Sequence, residues 1–99
     1  MRPIHTATLD KTRPVLILTR ELVRPHMSGV TVAPITSSIR GLSTEVPVGR
    51  VNGLDQDCVV SCDNIVTVPK AALGRQIGYF FPEQEVSLAA AIRTAFDLE

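Results

Sequence analysis

The side chains with the most chemistry in this 99-residue chain fall in four short clusters: Arg13; Thr36 with Ser37 and Ser38; Arg40; and the pair Asp63-Asn64. Arg13 stands immediately before Pro14 at the mouth of "TRPVLILT", the most apolar run of the sequence. A run of this kind does not alternate, so both faces of the segment are expected to be buried. Proline lacks an amide hydrogen and fits best at the first residue of a strand, which places Arg13 just outside a rigid element. A charge held there faces either plain solvent or something it is meant to hold. The other clusters also have ordinary readings. Hydroxyls such as those of Thr36 to Ser38 start loops by bonding local backbone, and Arg40, in a loop bounded by glycine, reads as surface charge.

Several other chemistries find no support. There is no phosphate loop, no pair of histidines on a helix and no nucleophile elbow. His5 and His26 are single and distant in sequence, whereas acid–base cleavage of a phosphodiester by histidines needs both on one phosphate. Cys58 and Cys62 lie in "DCVVSCDN", where Val59-Val60 argues for a strand. Four residues along a strand span about 13 Å, and a disulfide needs its Cα atoms within about 7 Å. With no third cysteine and both histidines remote, the two are also a weak metal set. They read as reduced structural thiols, in keeping with a cytoplasmic protein. No metal and no cofactor are expected.

The elements that must position these groups are strands first and a helix last. "PIHTATL" is a short strand, joined by the tight connection "DKT" to a strand from Pro14 to Thr19. "RELVRPHMSG" is a charged loop, with its turn marked by Pro25 and Gly29. Residues 30–36, "VTVAPIT", make a third strand that ends in the polar loop "SSIRG". "STEVPV" puts Thr44, Val46 and Val48 on one face, and Asn52-Gly53 signals a turn. "CVVSCDNIVTV" reads as one strand interrupted by Asp63 and Asn64. "PKAALG" reads as one helical turn with Gly74 past its end, and "RQIGYF" as the last strand. The terminal helix opens at Pro82, with Glu83 and Glu85 in its first turn, and Leu88, Ile92, Ala95 and Phe96 make its apolar face. Short strands at close spacing followed by one helix predict a mainly β fold: a small, strongly bent β-barrel with the helix packed on it, a single domain over residues 1–99.

Composition bounds the partners. The hydrophobic share of 44% suits a globular domain with one small core. No apolar run approaches the roughly 20 residues that span a bilayer, and "MRPIHTATLD" does not read as a signal peptide. No membrane partner is therefore expected. The formal net charge of zero divides into +3 over residues 1–80 and −3 over residues 81–99. A mildly basic body permits an anionic ligand.

In order along the chain, "TRPVLILT", "VTVAPITSSIRGLSTEVPV", "VVSCDNIVTVPKAALGRQIGYF" and "PEQEVSLAAAIRTAFDL" resemble the MazF/PemK family of toxin endoribonucleases from bacterial toxin–antitoxin pairs. Nearly the whole chain is covered. The resemblance implies an SH3-like barrel with a C-terminal helix, acting as a homodimer. It also implies a sequence-specific, metal-independent endoribonuclease that cuts single-stranded RNA by attack of the 2′-hydroxyl. The family's catalytic arginine falls on Arg13 and its catalytic threonine on Thr36, and its later polar pair on Asp63 and Asn64, where relatives contact RNA. Ser37, Ser38 and Arg40 would line the rim. The implied protein partner is a cognate antitoxin whose partly disordered acidic segment folds into the RNA groove. The sequence departs from the family at the front, where the usual Trp is missing and the loop before Arg13 is short.

Such a site is chemically coherent. Negative charge builds on the phosphoryl oxygens as the 2′-oxygen attacks, and a guanidinium offers a planar fork of donors to them. Arg13 is assigned charge stabilisation, with proton delivery to the leaving oxygen as a further task, and Thr36 donates one hydrogen bond to the same phosphate. With a pKa above about 12, arginine makes a poor proton acceptor, so the acceptor of the 2′-hydroxyl proton stays open. Two other classes compete. Gyrase-poisoning toxins share the barrel but use a Trp-containing C-terminal end, and this chain has no Trp. A non-catalytic SH3-like adaptor needs an aromatic-lined groove, for which Tyr79, Phe80, Phe81 and Phe96 are a poor set, with Phe96 expected on the helix's core face.

Overall fold

The computed structural model describes all of residues 1–99. Its apolar run forms strand β2 (Thr12–Ile17), with Leu16 facing one core and Val15 and Ile17 facing another. All three side chains are buried, so the strand has two covered faces as the unbroken hydrophobic run requires. Burial of each such side chain stabilises the fold by about 1.5–3 kcal/mol. The strand begins earlier than Pro14: Thr12 opens it, Arg13 pairs with Ala7, and Pro14 pairs with Thr6 of β1 (Arg2–Thr8). Proline is tolerated inside the strand because the ladder from β2 to β3 (Gly29–Thr36) starts only at Val15. The amide hydrogen that Pro14 lacks therefore breaks no rung on that edge.

Seven antiparallel strands make one strongly curled sheet in the order β4-β5-β3-β2-β1-β7, with β6 paired to the remaining stretch of β3. Strand β4 spans Glu45–Val48, β5 Cys58–Ser61, β6 Val66–Pro69 and β7 Leu73–Phe80. The expected single strand over residues 58–68 is two strands. Val60 faces Ile35, and an unbroken ladder would set Asp63 opposite Val32; Val66 is found there instead. A 3₁₀ turn at Cys62–Asn64 takes up the three extra residues. Polar Asp63 and Asn64 mark the place where the chain leaves one half of β3 and joins the other. "PKAALG" does contain a helical turn, at Lys70–Ala72, but Gly74 lies inside β7 rather than at a cap.

The helix α1 spans Glu85–Ala95, preceded by a 3₁₀ turn at Pro82–Gln84 where the sequence suggested its first α-turn. Gln84 is held there by its side-chain oxygen, which accepts from the Phe81 amide at 2.9 Å and from Asn52 Nδ2 at 2.8 Å. Leu88 and Ala91 are buried, and Ile92 and Ala95 pack beside them, giving the i, i+3, i+4, i+7 stripe. Phe96 is not part of it. The helix ends at Ala95, and Phe96 is 54% exposed as the chain turns through Asp97 at φ 55°. The helix covers the face carrying Ile4, Leu16, Ala33, Ile35 and Val60, while the opposite face of the sheet carries a second cluster of Ala7, Val15, Ile17, Val30, Val32 and Val68. Arg2 fastens helix to sheet, donating Nε to Glu85 at 2.8 Å and Nη1 to the Leu18 carbonyl at 3.1 Å.

Candidate functional site

Sheet register brings the first two candidates together. Val15 of β2 faces Pro34 of β3, so two residues further on Arg13 stands across from Thr36, on the face shared with Val15 and Val32. The apolar cluster of that face ends there, and beyond it opens a cavity of about 620 Å³ lined by both residues. Ser38 and Arg40 enter it from the loop after β3, and Asp63 and Asn64 from the 3₁₀ turn after β5. Ser37, the remaining candidate, is exposed and does not line the cavity. Six residues from three separate stretches of chain thus meet at one opening.

Arg13 is not free in this opening. Asp10, in the connection from β1 to β2, accepts from its Nε at 3.0 Å and from its Nη2 at 3.2 Å. This hydrogen-bonded pairing draws the Asp10 carboxyl down to about 2 and raises Arg13 above its already high value. Both groups therefore stay charged at neutral pH. The contact uses two of the five guanidinium donors. The other three remain for a ligand, on a fork whose plane Asp10 holds in place. Thr36 is also oriented: its Oγ1 accepts from the Ser38 amide at 3.1 Å. With an acceptor site occupied, the hydroxyl proton is left to be donated.

The carboxylates around the cavity are each engaged. Asp63 accepts from the hydroxyl of the buried Thr44 at 2.6 Å, and Glu45 accepts three backbone amides of the preceding loop. Asn64 donates Nδ2 to Ser61 Oγ at 2.8 Å, leaving its carbonyl oxygen for other contacts. Arg40 forms no ion pair; the two in the protein are Arg2–Glu85 and Arg13–Asp10. The arrangement therefore offers one anchored guanidinium, one oriented hydroxyl and one unpaired guanidinium to an anion, with amide and carboxylate groups at the rim. That set fits a phosphodiester.

Reading the sequence missed Asp10, Thr44 and Glu45. Asp10 carried a signal, since an acid three residues before an arginine across a tight connection is within reach of it. Thr44 and Glu45 carried only the alternation that put Thr44 inward. The histidines lie apart. His5 donates Nδ1 to the Gly74 carbonyl at 3.0 Å and His26 is exposed in the 3₁₀ turn Arg24–His26; neither lines the cavity. Cys58 and Cys62 are both free and buried, and burial pushes the Cys62 thiol up to about 11, which makes it a poor nucleophile.

Comparison with known proteins finds relatives over nearly the whole length of the chain. The family described as PemK-like, MazF-like toxin of type II toxin–antitoxin system matches residues 3–96. The chain is 68% identical over 99 residues to endoribonuclease MazF3 of Mycobacterium tuberculosis, covering 100% of this chain and 96% of that protein. Its fold superposes on the Mycobacterium tuberculosis toxin MazF-mt6 with a TM-score of 0.98 at 67% identity, covering 99% of each chain. A mycobacterial endoribonuclease solved in complex with its cognate antitoxin matches with a TM-score of 0.87 at 26% identity, over 98% of this chain and 93% of that one.

Proposed function

The chain belongs to the PemK- and MazF-like toxin family of type II toxin–antitoxin systems, and from that premise we propose that it cuts single-stranded RNA at the Arg13–Thr36 cavity without a metal ion. It is the endoribonuclease toxin of such a pair, with an antitoxin as its protein partner. The observation that carries the assignment of the site is the convergence of Arg13, Thr36, Ser38, Arg40, Asp63 and Asn64 on one opening.

In the proposed reaction the ribose 2′-oxygen gives up its proton to solvent and attacks the adjacent phosphorus, while the bond to the 5′-oxygen breaks and that oxygen takes up a proton. The products are a 2′,3′-cyclic phosphate and a free 5′-hydroxyl. The free donors of Arg13 and the hydroxyl of Thr36 meet the charge that grows on the phosphoryl oxygens, and a fixed donor of this kind is worth about 100- to 1,000-fold in rate. Arg40, Ser38, Asn64 and Asp63 hold the flanking nucleotides. Metal independence is supported by the donor chemistry. No three His, Cys, Asp or Glu side chains come together to hold an ion, and Asp10, Glu45 and Asp63 are occupied by Arg13, loop amides and Thr44.

The same cavity suits the antitoxin, because an acidic segment presents carboxylates to the cations that would otherwise hold phosphates. A single domain over residues 1–99, a homodimer and a cytoplasmic location complete the reading. No helix is long and apolar enough to cross a membrane. The test is cleavage in excess EDTA: a single-stranded RNA should be cut to the cyclic phosphate while DNA of the same sequence is spared. Activity that disappears on chelation and returns with a divalent ion would refute the metal-free mechanism.

A further inference from the structure

The loop from Ser37 to Ser43 brings Arg40 to the cavity, yet almost nothing packs around it. All seven residues are exposed, including Ile39 at 53% and Leu42 at 46%, so no buried apolar contact fixes the loop's shape. Thr36 Oγ1 holds its first turn at the Ser38 amide, and the stretch that carries Arg40 is closed by one side chain. Glu45 Oε1 accepts from the amides of Arg40 at 3.2 Å, Gly41 at 2.9 Å and Leu42 at 3.1 Å. The Glu45 amide returns a bond to the Leu42 carbonyl at 3.1 Å. Successive amides turned toward one point form a concave anion site, and Gly41 makes the turn possible with φ +75°. Glu45 itself is anchored, because its backbone pairs with Ser61 at the start of the β4–β5 ladder and neighbouring Thr44 is tied to Asp63.

We infer that Glu45 is a positioning residue for substrate binding: its carboxylate clamps the loop so that the Arg40 guanidinium is held over the cavity to receive an RNA phosphate. This rests on the nuclease reading of the site. Arg40 makes no side-chain hydrogen bond or ion pair within the protein, so only its backbone can hold it in place. The three amides that hold that backbone all converge on Glu45. By filling the amide pocket, the carboxylate also denies it to a phosphate, which leaves the side-chain cations as the place where RNA binds. Glu45 acts on affinity and on the choice of sequence around the cut, while the chemical step stays with Arg13 and Thr36.

The test is a double-mutant cycle on a single-stranded RNA oligonucleotide that the native protein cuts. Glu45→Ala should raise KM about tenfold while kcat changes less than about threefold. Glu45→Asp keeps the charge but is too short to reach the amides, so it should show the same rise. Glu45→Gln keeps a carbonyl oxygen at the Oε1 position and should regain most of the native KM. Arg40→Ala should raise KM to a similar degree, and the Glu45→Ala/Arg40→Ala protein should be no worse than Arg40→Ala alone, because one residue acts through the other. Binding of an oligonucleotide with a 2′-deoxy sugar at the cut, followed by fluorescence anisotropy, should weaken in step. Additive effects, or a lost kcat with native KM, overturn the inference, as does native KM in Glu45→Asp. If the native protein cuts no RNA, the nuclease reading fails and takes this role with it. If it cuts and the Glu45 variants bind RNA normally, only the role of Glu45 fails.

Discussion

Arg13 and Asp10 form a pair that is exposed and close, and its value lies in direction rather than stability. A solvent-facing ion pair adds little to folding, so Arg13→Ala, Thr36→Ala and Asp10→Ala should each melt near the native temperature. Their rates should separate. In the proposed mechanism Arg13→Ala and Thr36→Ala each remove a donor to the phosphate and should slow cleavage about 100- to 1,000-fold. Arg13→Lys should recover only part of this, because an ammonium keeps the charge and loses the fork. Asp10→Ala leaves Arg13 charged but unaimed, and a misplacement of about 1 Å can cost 100-fold in rate. Single-turnover rates at saturating RNA separate these cases. If Arg13→Ala cuts normally there, Arg13 is a solvated strand flank. The pH dependence follows from the direction of the Asp10 shift. Its folded pKa of about 2 lies below the ordinary 3.8, so what the pair contributes is complete above pH 3.8 and is lost only as pH falls toward 2. Asp10→Asn should therefore leave the acid limb of the rate profile above pH 5 in place; a limb that vanished would make Asp10 the titrating group.

Among the elements, β2 and β3 act as a unit, because the register of their ladder, continued two residues past Val15 and Pro34, leads to Arg13 and Thr36. Elsewhere the strands are locked by close backbone approach. Gly78 of β7 lies against the turn Arg50–Asn52, where an added Cβ would stand 1.8 Å from the Asn52 carbonyl oxygen. Gly53 closes that turn at φ +92°, a region that side chains disfavour. Asn52 is 1% exposed, donates to the Tyr79 carbonyl at 2.9 Å and accepts the Gly49 amide at 3.1 Å. Gly78→Ala must push these apart and should cost about 2 kcal/mol, lowering the melting temperature by roughly 10 °C. Cleavage per folded molecule should stay native at lower temperature, because neither Gly78 nor Asn52 lines the cavity. A native melting temperature in Gly78→Ala would show that the turn moves away freely.

At the scale of the whole molecule, the body is a half-barrel with its one helix on the face away from the cavity, and no cysteine is available at the surface. The proposed association between copies would therefore come from packing and polar contacts. A dimer should be seen by light scattering at micromolar concentration, with the same mass whether or not reductant is present. A monomer under both conditions, or a dimer dissolved by reductant, would count against that assembly. If Arg13 and Arg40 hold phosphates as proposed, a high salt concentration should weaken RNA binding.

The sequence by itself determined the burial of its clearest apolar patterns and the place of its Asn-Gly turn. The apolar stretch Val15 to Ile17 demands two covered faces, alternation puts Thr44, Val46 and Val48 inward, and Asn52-Gly53 can scarcely be anything but a turn; each is found so. The order of motifs also carried the family, and with it the assignment of Arg13 and Thr36 as candidate site residues. What only the tertiary structure decided is how positions far apart in sequence meet. A local pattern sees residues a few places away, and nothing in "CVVSCDNIVTV" reveals that one partner strand serves both its ends. The three-residue shift at Cys62–Asn64 is a property of β3 and so was hidden. Phe96 fits the helical period, but the helix stops one residue short of it. Asp10 and Glu45 look like ordinary surface acids in the sequence, because a carboxylate's role depends on which donors the fold turns toward it: the Arg13 guanidinium for one, three loop amides for the other.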